Sequence, residues 1–381
     1  YASRGLGDVY KRQVFRTSQD AMLTTQIYRQ CKVLINDATR ENIWHIKFAR
    51  MFDMSNDSHL FYTYSQLVDK GAKLEGNKFL LNNQFYVPLY EGKMIWHYNH
   101  HFGTINEGTK EKPARQMAMP TSDELKNPNH NIMPWYWIPK EDMDNRLIKT
   151  DAKGNIIWEW SHKWLIGFRD ITNATHDRTF VISLIPDACG VGNSATLLFV
   201  ERGTMPGALL LGMMSSLVFD YATRQKIGGS HASISFVKQF PVLTPEQVSS
   251  SGYEQDIVER VARLCWFNHD LDGWMEELRE ECPEEYDLPE EPVIWDEEQR
   301  TVWQAELDAI FAHLYGLTTE DLRYILDPED VCGKGCINET FRVLKERELR
   351  ELGEYRTKRL VMEAWNKFEF DNKLKMLCYE K

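Results

Sequence analysis

The sequence lacks most of the features that assign a chain to a simple class at sight. Its seven cysteines are spread through 381 residues, too thinly for a disulfide framework, so a reducing, cytoplasmic setting is expected. No apolar run reaches the roughly 18 residues that cross a bilayer, and no signal-peptide pattern is recognisable. No membrane partner is expected. Cys332-Gly-Lys-Gly-Cys336 approaches a ligand spacing, but no second Cys/His pair stands nearby to complete a tetrahedral site. A free-thiol loop is expected there. Gly190-Val191-Gly192-Asn193-Ser194 lacks the Lys-Ser/Thr ending and the following helix start of a phosphate loop.

Charge and apolar residues are present, and unevenly placed. At 43% apolar the chain can fill one sizeable core and has length for about two domains. The net charge is −12, yet from Glu246 onward 17 Lys+Arg face 34 Asp+Glu, which leaves 28 against 23 in the first 245 residues. Only that mildly basic front part suits a nucleic-acid partner. Asp8-Val9-Tyr10-Lys11-Arg12-Gln13 is what GAT-GTG-TAT-AAG-AGA-CAG encodes, and it resembles the mosaic end of transposon-based sequencing libraries. Residues 1–13 are therefore set aside as an adapter scar, and the chain is expected to be the C-terminal fragment of a longer reading frame.

The stretch Leu209–Leu243 changes character twice. Leu210, Met213, Met214, Leu217, Val218 and Tyr221 recur at helical spacing and predict one helix buried along one side. Arg224, Gln225 and Lys226 fall in its last turn, where cations suit the dipole, and Gly228-Gly229 offers a left-handed exit. Ala232, Ile234 and Phe236 then alternate with His231, Ser233 and Ser235, predicting a strand that runs to Lys238 and ends at Pro241. Such a corner sets cations and an amide beside backbone that a ligand can approach closely, which suits phosphates and base edges. A capped helix with solvated charges fits the local pattern equally well.

Before this stretch, helical spacing covers Ser18–Val33, and strands are expected near Phe79–Leu81 and Tyr86–Ile95, broken at Asn82-Asn83. In Trp96-His97-Tyr98-Asn99-His100-His101-Phe102 a strand would carry His97, Asn99 and His101 on one side. No carboxylate or cysteine falls at ligand spacing beside them, so no metal site is expected. Residues 105–155 read as a long, partly irregular loop. Arg169, Asn173, Arg178 and several hydroxyls cluster before the apolar strand Phe180–Pro186, a mixture that contacts phosphates and bases or, equally, closes a salt-bridged loop with Asp170 and Asp177. A second strand follows at Thr196–Val200. Beyond Pro245 the pattern is helical at Ile257–Phe267, Trp303–Tyr315, Thr319–Ile325, Thr340–Leu352 and Tyr355–Phe368. The expected fold class is α+β: a mixed-sheet recognition domain over 14–245 followed by an acidic all-helical region over 246–381.

Several segments together resemble the C-terminal target-recognition region of large adenine-specific DNA methyltransferases of the type IIG restriction-modification and DISARM-like defence class. They are Met51–Phe61, PLYEGKMIWHYNHHFGT at Pro88–Thr104, FRDITNATHDRT at Phe168–Thr179, GVGNSATLLF at Gly190–Phe199 and VFDYATRQKIGGSHASISFVKQFPVL at Val218–Leu243. LDAIFAHLYGL, YILDPEDV, ETFRVLKERE and GEYRTKRLVMEAW extend the likeness toward the C-terminus. The Cys332–Cys336 loop departs from it. The resemblance implies site-specific N6-adenine methylation of double-stranded DNA in restriction-modification or phage defence, with S-adenosylmethionine as donor. The chain itself has no Asn-Pro-Pro-aromatic motif, since Asn127-Pro128-Asn129-His130 fails at its third position, and no glycine-rich cofactor turn. Methyl transfer and base flipping are therefore expected in an N-terminal methyltransferase domain or subunit absent from this chain. Arg169, Arg178, Arg224 and Lys226 are the expected phosphate contacts, Asn173, Gln225, Ser230 and His231 the expected base readers, and Gly228-Gly229 the point of close approach, with Lys238 a further expected DNA-binding residue. Two alternatives stay open, a stand-alone DNA specificity subunit and a nuclease or metal-dependent hydrolase using His97, His100 and His101 with a carboxylate such as Asp170.

Overall fold

The computed structural model describes residues 15–106, 116–173, 176–336 and 340–379. The segment read as an adapter scar lies outside them. The fold is α+β. A four-stranded antiparallel sheet runs in the order Ile182–Pro186, Trp164–Arg169, Ala195–Val200, Ile46–Ala49. Every residue of its first and third strands is buried, which explains their unbroken apolar runs: side chains on both faces meet protein. A second sheet orders Gly190–Val191, Gln84–Tyr90, Lys78–Leu81 and Lys73–Glu75, with Trp137–Pro139 also paired to Gln84–Tyr90. Leu81 faces Gln84 across a two-residue turn in which Asn82 and Asn83 both hold positive φ, so the Asn-Asn break is a tight hairpin.

The helix at the centre differs from its expectation. Thr204–Ser215 is apolar on all sides, as a helix enclosed by protein must be. Gly207 lets it lie against the Trp164 ring, where a Cβ would come within 2.9 Å of the indole. The helix then stops at Ser216, whose extended backbone and hydroxyl cap a second helix, Leu217–Arg224, bent 61° from the first. The predicted single helix is thus two, because Ser216 accepts Phe219 N–H and buried Asp308 accepts Leu217 N–H at 2.7 Å. No single helix among the described residues is long and apolar enough to cross a membrane; the bent pair Thr204–Arg224 approaches that composition because it is core.

Two further expectations are corrected. Gly228 and Gly229 do not adopt positive φ. The chain leaves the helix through a turn in which Lys226 and Ile227 N–H both reach Thr223 O, which closes it without a left-handed residue. In place of the predicted strand over Ala232–Phe236 there is a short helix, Ile234–Val237, because Ser233 O accepts Phe236 and Val237 N–H. Within 105–155 the described residues hold defined elements, including helices Ser122–Lys126 and Lys140–Arg146 and the strand Trp137–Pro139.

The C-terminal helices fall close to their expected places, at Glu254–Cys265, Glu297–Leu314, Thr319–Leu326, Arg342–Leu352 and Arg356–Tyr379. They do not form a separate core. One apolar cluster runs from Leu23 through Leu210 and Val261 to Phe368, so the change of charge at residue 245 is not a break in packing.

Candidate nucleic-acid interface

Arg169 is the last residue of its strand, and its guanidinium turns inward. It donates to Gly92 O at 2.8 Å and to Ile95 O at 2.6 Å, and lies 4.8 Å over the Trp96 ring. Burial lowers its pKa to about 10. Arg178 donates to Ser215 O at 2.5 Å and approaches Asp220 at 3.5 Å. Arg224 is more enclosed still. It pairs with Asp220 at 3.1 Å, donates to His176 O and Asp177 O at 2.6 Å each and to Thr340 O, and stacks over Phe341. Asp220, fully buried, accepts Thr179 and Phe180 N–H as well.

These arginines therefore brace the loop after the strand rather than face solvent. A loop that folds over a core carries carbonyls that need donors, and guanidinium groups supply several at once. Gln225 and Lys226 are buried too, Lys226 to 1% exposure. Lys238 pairs with Asp37 at 2.9 Å beside Ile35, away from the corner. The solvated cationic corner read from Arg224, Gln225 and Lys226 is thus corrected: these side chains are interior and cannot meet a phosphate without unfolding their surroundings.

What remains exposed is a ridge of turns. Thr172 N–H reaches Ser230 O at 2.9 Å and Ala232 N–H reaches Asp170 O at 2.7 Å, with Ile171 opposite His231. This lacing leaves Ile171, Asn173, Gly228, Gly229, Ser230 and His231 outward. Around Gly228 and Gly229 no atom of the described residues lies within 4 Å of where a Cβ would stand. The turn before Ala195 joins the same edge: Asp170 N–H donates to Ser194 O at 3.0 Å, Ser194 Oγ accepts Gly92 N–H at 2.9 Å, and Asn193 is exposed. Beneath the ridge is a cavity of about 280 Å³ walled by Trp96, Arg169, Thr172, His176 and Arg178.

One participant, Arg50, was not visible in local sequence. Asp170 accepts from His231 Nδ1 at 3.1 Å and stands 3.9 Å from Arg50, whose side chain is half exposed. Arg50 follows the strand Ile46–Ala49, and only its pairing to Ala195–Val200 brings it here. Among the described residues, Asp170 is in no group of three metal-binding side chains; the carboxylate near His100 and His101 is Asp270. Nor do His97, Asn99 and His101 share a strand. They occupy a turn in which Tyr98 has positive φ.

Among its described residues the ridge can present backbone N–H groups, the amides of Asn173 and Asn193, the Ser230 hydroxyl, the His231 imidazole and the Arg50 guanidinium to a ligand. No protein-family model matches the chain, and no curated protein matches it.

Proposed function

We infer that the chain is the DNA-reading part of a site-specific N6-adenine DNA methyltransferase of a restriction-modification or phage-defence system. The S-adenosylmethionine site and the methyl-transfer chemistry belong to a methyltransferase domain or subunit that this chain does not contain. One observation supports this above the rest. Four of the segments that carry the resemblance, at residues 88–104, 168–179, 190–199 and 218–243, converge on a single exposed edge through Gly92, Asp170, Ser194 and Ser230. In that reading Arg50 takes a phosphate, Asn173 and His231 read base edges, and the open backbone at Gly228–Ser230 admits the duplex closely.

Selection of bound duplexes from a random-sequence pool, followed by fluorescence anisotropy on the enriched DNA, tests it. The expected result is an enriched motif whose affinity falls as salt rises. Arg50→Ala should weaken binding alike on all sequences and lower the salt slope by about 1, whereas His231→Ala should cost roughly 1–3 kcal/mol at one position of the motif. Absence of duplex binding at low salt by the folded protein overturns the reading.

A further inference from the structure

The turn that holds His97, His100 and His101 has no carboxylate at ligand spacing in sequence, but the fold delivers one. Asp270, 169 residues further on, places Oδ2 2.9 Å from His101 Nε2. The His100 and His101 rings are 4.3 Å apart, and one ligand atom from each of His100, His101 and Asp270 lies within 4.8 Å of the other two. Both histidines are buried, to 1% and 0% exposure. Among the described residues His100 Nε2 and His101 Nδ1 find no hydrogen-bond partner, and neither does Nε2 of His130, whose ring stands 6.2 Å from that of His101. Three unpaired ring nitrogens in one buried place are costly unless something binds them.

The surroundings suit a cation. Asn99 Oδ1 accepts His101 N–H and Asn268 Oδ1 accepts Asp270 N–H, each at 2.9 Å, so both donor segments are held from behind. Phe267 packs against both imidazoles and excludes water on that side. On the other, Asp270 is one-quarter exposed and lines a cavity of about 310 Å³ with Asp187, Glu276, Lys78 and Lys163, a polar approach of mixed charge. Arg300 is a buried cation that lies over the packing partner Phe267. It is turned onto Trp295 at 3.7 Å and donates to Tyr98 O and Leu264 O.

We propose that His100, His101 and Asp270 bind a divalent transition metal of the zinc class, with His130 close by as a further donor. Two imidazoles beside one carboxylate favour such an ion over magnesium or calcium, which prefer all-oxygen shells. Bonds of about 2.0–2.2 Å require the donors to draw closer than their present 4.8 Å limit. A bound ion would clamp the 97–103 turn to the first residues of the acidic helical region, and the site stands independently of the DNA reading.

Metal-stripped protein titrated with Co²⁺ and then Zn²⁺ tests the proposal. The expected result is one Co²⁺ per chain with ligand-field absorption, displaced by Zn²⁺, and a rise in Tm that Mg²⁺ does not reproduce. Asp270→Asn and His101→Gln should each weaken binding at least tenfold. Non-saturating binding, an equal response to Mg²⁺, or unchanged affinity in Asp270→Asn overturns it. If the variants do not fold, imidazole ¹⁵N NMR of the unaltered protein decides: Zn²⁺-induced shifts at His100 and His101 support the site, and shifts confined to exposed His59 and His231, or none, refute it.

Discussion

Arg224 joins a carboxylate, three backbone carbonyls and an aromatic ring in one buried knot. Removing it leaves Asp220 charged in the interior with a partner missing, a change that typically costs about 3–5 kcal/mol. Arg224→Ala is therefore expected to lower the denaturation midpoint severely, and any loss of DNA binding would follow from unfolding. His231 is the contrast. Its side chain is 59% exposed, so His231→Ala should change stability by no more than about 0.5 kcal/mol, measured by urea melts. Asp308 gives a pH signature. Burial raises its pKa from 3.8 to about 7, so between these values the native state holds a proton that the unfolded chain has lost. Stability should then fall as pH rises across that window and level off above it. Asp308→Asn, which keeps an oxygen to accept Leu217 N–H, should flatten the slope in pH-dependent urea melts.

At the level of elements, the break at Ser216 is held by one cap. Ser216→Ala removes the hydroxyl that accepts Phe219 N–H, and a loss of about 1 kcal/mol is expected in the same melts. The helical spacing through Tyr221 was legible in sequence, but the break was not. The bend depends on Asp308, which approaches from 91 residues away. The same distinction separates the elements read well from those read badly. Ser18–Gln30 carries its own start signal in the Thr17/Asp20 capping box, and the Asn82-Asn83 hairpin carries its own turn chemistry. The alternation at Ala232–Phe236 resembled a strand because buried Ala232 and exposed Ser235 differ for reasons of tertiary packing, with no partner strand to complete a ladder.

For the whole molecule, the continuity of the core across residue 245 carries a clear expectation. The helix Thr204–Ser215 packs against Glu254–Cys265 and Asp272–Glu281, so a chain ending at Pro245 would leave Leu210 and its neighbours without cover. That truncated chain should show collapsed near-UV circular dichroism and bind hydrophobic dyes. The acidic half is thus part of the support for the ridge, which the charge asymmetry alone could not reveal. In sequence the cations near Gly228 were legible as a cluster, while their inward direction depended on carbonyls at His176, Asp177 and Thr340. The ridge itself shows a division of labour. Asn173, Asn193 and Gly228–His231 stand outside the core, while Asp220, Arg178 and Arg224 hold the mount from within. Gly229→Ala meets no neighbouring atom and no backbone penalty, so the tips can accept new residues while the mount keeps its shape. Such an edge can diversify under selection one turn at a time, each variant inheriting a protein that already folds.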